Sequence, residues 1–116
     1  MPFVREHVTK SLTRSSGWRK VRKEHIKAHP ECAACGRKNG LEVHHIVPFQ
    51  LDPSLELEPS NLITLCDKAT KCHLSFGHLG DWKSYNDEVV GDSKWFRNKV
   101  DNRPEDLNED TIHNAS

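Results

Sequence analysis

The sequence predicts a small α+β domain whose thin apolar core is supplemented by bound metal. Its 116 residues are enough for one domain at most. Apolar residues make up only 34% of the chain, and the mean hydropathy is -0.76. A domain of this size with so little apolar material needs an additional stabilising element. The four cysteines, which fall into two spaced pairs, can supply it.

The first predicted element is an amphipathic helix that begins after Ser15 and Ser16, which are favoured N-cap residues. Apolar and aromatic residues recur at the spacing of one helical face, and basic residues occupy most of the other. Pro30 ends the helix, because the residue before a proline is disfavoured in the α conformation. The face predicted to pack on the core consists of Trp18, Val21, His25 and Ile26.

A β-strand is predicted within residues 41–49, where two histidines stand in an apolar, β-branched run. A turn-like segment precedes this run, and Pro48 stops it. Because neighbouring strand residues point to opposite faces, His44 and His45 are expected to serve different purposes. A purely structural role is disfavoured, since two imidazoles in an apolar strand both need polar partners.

The cysteines predict a structural zinc site. Cys32 and Cys35 form a CxxC motif, which redox dithiols and zinc sites share. A thioredoxin-like site would need a strand before the motif, and none is predicted there. The second pair, Cys66 and Cys72, completes a Cys₄ set that can hold zinc tetrahedrally, with binding worth on the order of 10 kcal/mol to folding. Unligated, buried cysteines are the alternative.

The remaining elements follow in order. Residues 61–66 predict a second strand that opens on Asn61, residues 67–71 a polar turn, and residues 72–80 a short helix with a histidine near each end. Leucines in the loop 50–60 and the later aromatic residues are expected to pack against the sheet. These are Leu51, Leu55, Leu57, Trp82, Tyr85, Trp95 and Phe96.

These elements suggest three regions: an arm at 1–14, a domain at 15–100, and an acidic tail at 101–116 that is expected to be disordered. Residues 1–50 carry 10 Lys/Arg and 4 Asp/Glu, whereas residues 51–116 carry 7 and 13. The basic half suggests a polyanionic partner, although two ordinary solvated surfaces would look the same. No apolar run has the length of a bilayer span and the N-terminus lacks a signal-peptide pattern, so a cytoplasmic location with reduced thiols and no membrane association is expected.

The ordered set of these residues resembles the HNH nuclease family, whose fold is a ββα-metal unit. The matching residues are His44-His45 in VHHIVP, Asn61 in NLITLC and His73 in the Cys72-His73 pair. The two cysteine pairs match the zinc-stabilised branch of the family. The flanking runs WRKVRKEHIKAHPECAACG and FGHLGDWKSYN look like HNH proteins of phages and bacteria, so the resemblance covers roughly residues 15–86.

The resemblance implies a role for each matching residue. His44, where many relatives have aspartate, would ligate a catalytic divalent metal (Mg²⁺, Mn²⁺, Ni²⁺ or Zn²⁺), and His73 would be a second ligand. His45 would be the general base that takes a proton from the attacking water, and its unperturbed pKa of about 6.5 suits that task. Asn61 would orient His45 through hydrogen bonds. Hydrolysis would leave a 5′-phosphate and a 3′-hydroxyl.

His78 is the residue that fits the family pattern least well. Some relatives place a third metal ligand four residues after the first helix histidine, which is about 40° around an α-helix. Here His73 and His78 are five residues apart, which is about 140°, so a shared metal requires a distorted turn. Gly77 can permit that distortion.

The function expected from the resemblance is a metal-dependent HNH endonuclease acting on DNA, with packaging proteins as partners if the chain is of phage type. A zinc-containing DNA-binding module without catalysis is the main alternative, and a thiol redox protein is a weaker one. Oligomeric state, sequence specificity and the choice between nicking and double-strand cleavage carry no sequence signal. The expected phosphate contacts are Arg19, Lys20, Arg22, Lys23, Arg37, Lys38 and Lys83.

Overall fold

The computed structural model describes residues 15–104, and the predicted arm 1–14 and residues 105–116 of the predicted tail lie outside the described residues. Two helices and two strands make up the fold, so the predicted α+β class is confirmed. Helix α1 spans Trp18–Ala28, β1 Leu41–His45, β2 Leu62–Cys66 and α2 Val89–Asp101. Two short 3₁₀ turns, Pro53–Leu55 and Pro59–Asn61, precede β2, and one π-helical turn, His73–Gly77, follows it.

The two strands form an antiparallel sheet that sets the positions of both predicted sites. Leu41 pairs with Cys66 at one end of the sheet, and His45 pairs with Leu62 at the other. The ladder continues beyond β1, because the Ile46 amide donates to the Asn61 carbonyl at 2.8 Å. The sheet therefore brings a cysteine to one end and the histidine pair and Asn61 to the other.

Helix α1 packs on the sheet through the face that its periodicity predicts. The four residues of that face are all half-buried, and the basic residues Arg19, Lys20 and Lys23 are exposed. The predicted serine cap is wrong: the N-cap residue is Gly17 and makes no side-chain cap hydrogen bond. The Ser15 amide instead donates to the buried Glu56 carboxylate at 3.2 Å, which ties the entrance of the helix to the loop between the strands.

The core is as small as the composition predicts, and cysteines form a large part of it. Its buried residues are Cys32, Ala34, Ile63, Leu65, Cys66, Cys72 and Val89. Because so few large apolar side chains are fully buried, the hydrophobic contribution to folding is limited by area. Ligation of the cysteines would then supply a major share of the stability.

Several apolar residues predicted to pack inside are exposed. Leu51 is 62% exposed, Trp82 58% and Trp95 61%, and Leu57 and Tyr85 are also exposed. A two-stranded sheet has too little surface to cover them, and turn hydrogen bonds, such as Glu56 N to the Pro53 carbonyl, hold the loop between the strands. Leu55 and Phe96 are half-buried, and the Phe96 ring lies 5.2 Å from that of Phe76. Neither helix within residues 15–104 has the length and apolar character to cross a membrane.

Candidate active site

The four cysteines come together at the end of the sheet where β1 begins and β2 ends. Their sulfur atoms all lie within 4.8 Å of one another, and Cys35 Sγ is 3.7 Å from Cys66 Sγ. Tetrahedral zinc with Zn–S distances of about 2.3 Å separates its ligand sulfurs by about 3.8 Å. Hydrogen bonding, first from the Cys72 thiol and then from backbone amides, lowers the pKa of Cys32 to about 4. The cluster could therefore hold zinc.

The turn between the last two cysteines explains how five intervening residues close on one site. Ala69 and Lys71 both have positive φ, at 55° and 50°, which is unfavourable for residues with a Cβ atom. The Thr70 hydroxyl lies between them and donates to Cys35 Sγ at 3.2 Å. A metal bound to the flanking cysteines would offset the backbone strain of this turn.

A second cluster lies next to the cysteines and consists of the imidazoles of His44, His73 and His78. One nitrogen from each ring lies within 4.8 Å of the others. Burial, followed by repulsion from His73 and His78, lowers the pKa of His44 to about 3, so this ring is neutral and offers a lone pair at neutral pH. The three rings also face one another at centroid distances of 4.9 to 5.0 Å.

Hydrogen bonds at the outer nitrogens orient two of these rings. The Nδ1–H of His73 donates to Asp67 Oδ1 at 2.9 Å, and the Nδ1–H of His78 donates to the Ser84 carbonyl at 2.7 Å. Each bond fixes the tautomer and leaves the lone pair on Nε2, the arrangement commonly found for metal-binding histidines. His73 Nε2 then lies 3.1 Å from His44 Nδ1.

The residues of this histidine cluster fit a metal ion. Nitrogen ligands at about 2.0–2.1 Å from a tetrahedral metal are about 3.4 Å apart, close to the spacing of His44 and His73. His44 Nδ1 and His73 Nε2 are joined by a hydrogen bond at 3.1 Å, and a cation bound between them would take the place of the shared proton. The other nitrogen of His44, Nε2, is buried and has no hydrogen-bond partner among the described residues.

The π-helical turn accounts for the unusual spacing of His73 and His78. A π turn closes with i→i+5 hydrogen bonds, so residues five apart come to the same side of the helix. This is the distorted turn that a shared metal requires. Gly77 lies against the His44 ring, and a Cβ atom at this position would stand 2.9 Å from His44 Cε1. Glycine is therefore needed for the close approach of the turn to β1.

His45 lies apart from the cluster, as expected for a neighbouring strand residue. Its Nε2 lies 2.9 Å from the Glu56 carbonyl, which can only accept, so Nε2 carries the proton and Nδ1 the lone pair. The Trp18 ring packs on this imidazole with a centroid distance of 4.6 Å. Both His44 and His45 line one open cleft of about 200 Å³, together with His73, His78 and Trp82.

Asn61 is connected to His45 through the backbone around it. Its three side-chain hydrogen bonds go to backbone groups and not to the imidazole of His45. The Oδ1 atom accepts from the Val47 amide at 2.8 Å, and Nδ2 donates to the Val47 and Leu55 carbonyls at 3.2 Å. Asn61 thus fixes the chain just after His45 and just before Glu56, whose carbonyl holds the imidazole.

The basic residues expected to contact phosphate are not equally available. Arg22 is engaged by Glu42 at 2.9 Å, an ion pair that joins α1 to β1. Lys38 lies 3.9 Å from Glu31 and is otherwise exposed. The others are exposed: Arg19, Lys20 and Lys23 on α1, Arg37 after the first cysteine pair, and Lys83 beside Trp82.

Asp67 is a site residue that sequence reasoning missed, although a signal was present. Asp67 follows Cys66 directly and His73 follows Cys72 directly. Because the two cysteines meet at one site, the residues after them are also neighbours. The same loop therefore joins the cysteine cluster to the histidine cluster.

We expect Asp67→Asn to weaken binding of a divalent metal at the histidine cluster by roughly 10- to 100-fold, the usual effect of removing an outer-shell partner of a ligand histidine. The amide keeps the size of the side chain but loses the charge that favours the Nδ1–H tautomer of His73. Titration with Mn²⁺ by calorimetry measures the effect. Asp81→Asn, an exposed change in the neighbouring loop, is the control, and equal affinities of the two variants would contradict the assigned role.

Comparison with known proteins agrees with this geometry. Residues 32–78 match the protein-family model described as HNH endonuclease, a segment that runs from the first cysteine to the last cluster histidine. The match confirms the resemblance inferred from the sequence, and with it the ββα-metal character of the fold. It indicates metal-dependent nuclease activity in general. No curated protein and no solved structure matches the chain.

Proposed function

We propose that this protein, whose residues 32–78 match an HNH endonuclease domain, is an endonuclease that hydrolyses phosphodiester bonds of DNA. The observation that carries the proposal is the cleft of about 200 Å³ lined by two different kinds of histidine. His44, His73 and His78 offer ligand nitrogens, whereas His45 is held separately by a backbone carbonyl. A zinc-containing module that only binds DNA would need neither a set of metal-ligand histidines nor a separately held histidine beside it.

The histidine cluster would hold one divalent cation, either Mg²⁺, Mn²⁺, Ni²⁺ or Zn²⁺. When bound, it would neutralise the negative charge that develops on the phosphate and on the leaving 3′ oxygen. The cysteine cluster would hold one Zn²⁺ with a structural role, because three of its four cysteines are buried.

His45 would act as the general base. Its Nδ1 lone pair would take a proton from a water molecule as that water attacks phosphorus, while the bond from phosphorus to the 3′ oxygen breaks. The products would be a 5′-phosphate and, after protonation, a 3′-hydroxyl. The Glu56 carbonyl would stabilise the protonated imidazole, since it accepts from Nε2–H throughout the step. Asn61 would position His45 through the two backbone segments that it joins.

The test is incubation of supercoiled plasmid with the purified protein and each candidate metal in turn. Cleavage is expected with at least one metal, none is expected with chelator, and the nicks should be sealed by a ligase that requires a 5′-phosphate and a 3′-hydroxyl. Binding of DNA without any nicking across all four metals would favour the zinc-containing DNA-binding module. Products that carry a 3′-phosphate would contradict the proposed direction of bond breakage.

Exposed lysines on α1 should supply affinity rather than sequence preference. Lys20→Ala and Lys23→Ala are each expected to flatten the plot of log binding constant against log salt by about 0.9, the value for one lost phosphate contact on duplex DNA. Arg22→Ala is the matched comparison, because Glu42 already engages this side chain. Fluorescence anisotropy with a labelled duplex measures the slopes, and unchanged slopes for both lysine variants would exclude α1 from the DNA-binding surface.

A further inference from the structure

Trp82 is an exposed aromatic residue at the rim of the cleft. The residue is 58% exposed, yet its ring centroid lies 5.2 Å from that of His73 and 4.9 Å from that of His78. A single exposed apolar residue is common on protein surfaces, so the position of this ring matters more than its exposure. Here the exposed surface adjoins two residues of the candidate metal cluster.

The loop that carries Trp82 is held in place by one of these histidines. The His78 ring donates to the Ser84 carbonyl at 2.7 Å, and the Ser84 hydroxyl donates to the His78 carbonyl at 2.8 Å. Within the loop, the Asp81 side chain accepts from the Lys83 amide at 2.9 Å. The ring of Trp82 is therefore presented from a closed turn, at a fixed place relative to the cluster, and Lys83 follows it with an exposed positive charge.

The small size of the cleft indicates that the Trp82 ring can contact the substrate. At about 200 Å³ it is smaller than typical ligand pockets of about 300 to 1,000 Å³, so parts of the substrate beyond the reacting phosphate must bind at its rim. Aromatic rings beside a positive charge bind nucleic acid by stacking on bases while the charge contacts the backbone. In an intact duplex the faces of the bases are covered by their neighbours, and only an unpaired base can offer one.

We propose that Trp82 stacks on an unpaired nucleobase next to the scissile phosphate, so that the enzyme selects DNA with an unpaired base there over perfect duplex. This inference rests on the proposed nuclease function and names its substrate class. The ring would act as a specificity-determining residue: it holds the base at the rim while the phosphate lies against the histidines.

The test compares binding of three DNAs: a single strand, a duplex with one bulged base, and the same duplex without the bulge. It uses protein that carries His45→Ala, so that cleavage is too slow to affect the binding measurement. Trp82→Ala should weaken binding of the first two DNAs by roughly 5- to 150-fold, the range that corresponds to about 1 to 3 kcal/mol per stacked base at 1.4 kcal/mol per tenfold. Binding of the perfect duplex should change less than about twofold.

Further variants separate stacking from a structural role. Trp82→Phe keeps a π face and should retain part of the preference, whereas Trp82→Leu covers the histidines but cannot stack and should behave like the alanine variant. Trp95→Ala is the matched control, since Trp95 is 61% exposed on α2 and makes no ring contact with the cluster. Mn²⁺ affinity should be unchanged by Trp82→Leu.

Three results would overturn the inference: equal loss of affinity for all three DNAs, a leucine variant that keeps the preference, or a parallel loss of Mn²⁺ affinity. Each would leave Trp82 as a residue that merely packs on the cluster. The readout is independent of catalysis. Failure of the unmodified protein to cleave any DNA would overturn the proposed reaction and leave these binding ratios measurable.

Discussion

His45→Ala should lower the rate of DNA cleavage by roughly 10²- to 10⁴-fold, the usual contribution of a positioned general base. The change removes the Nδ1 lone pair and leaves the three cluster histidines intact. It also leaves the Glu56 carbonyl without its Nε2–H donor, so we expect a loss of stability of about 1 to 3 kcal/mol as well. A plasmid nicking assay under single-turnover conditions measures the first effect, and thermal unfolding measures the second.

His29→Ala is the matched control for this prediction. His29 is an exposed residue just after α1, and its replacement should leave cleavage within about twofold. Circular dichroism and zinc content should show that the His45 variant retains its fold below the unfolding temperature. If that folded variant cleaves DNA at the rate of the unmodified protein, another group must activate the water.

The second large effect is expected at the cysteine cluster: Cys72→Ser should abolish cooperative folding. Cys72 is only 1% exposed, lies within the core cluster and directly precedes His73. Zinc bound at such a site contributes on the order of 10 kcal/mol, comparable with the whole net stability of a typical domain, about 5 to 15 kcal/mol. Loss of one ligand therefore removes more than the small apolar core can replace.

Zinc content by mass spectrometry and thermal unfolding followed by circular dichroism are the measurements for the Cys72 variant. Removal of zinc from the unmodified protein by a strong chelator should have the same effect, and re-addition of zinc should restore the fold. This reversal separates loss of the metal from damage caused by the substitution. A zinc-free protein with a native unfolding temperature would show that the cysteines act as ordinary buried residues.

Local patterns were sufficient to predict much of this molecule. Strand β1 follows from the apolar, β-branched run around His44 and His45, and α1 from the apolar spacing that begins at Trp18. The fold class and the resemblance are confirmed, because both depend on residue types and an order of motifs that the sequence shows directly. The two cysteine pairs are visible in the sequence, and the sheet and the turn after it bring the pairs together.

What the sequence does not predict depends on three-dimensional neighbours. The π turn accompanies a close approach of Gly77 to His44, and no helix propensity encodes that contact. Asn61 forms hydrogen bonds to backbone carbonyls of a loop whose path depends on two short turns. Trp82 and Trp95 are exposed because a two-stranded sheet has too little surface to cover them. A count of apolar residues does not reveal this.

The π turn also changes how sequences of this kind should be compared. With one extra residue wound into the turn, the separation of the last two histidines along the chain can differ by one while their rings still meet. A length difference at this place is then a change of helical pitch and not the loss of a ligand. A search pattern that demands a gap of fixed length between these histidines would pass over chains with a complete set of donors.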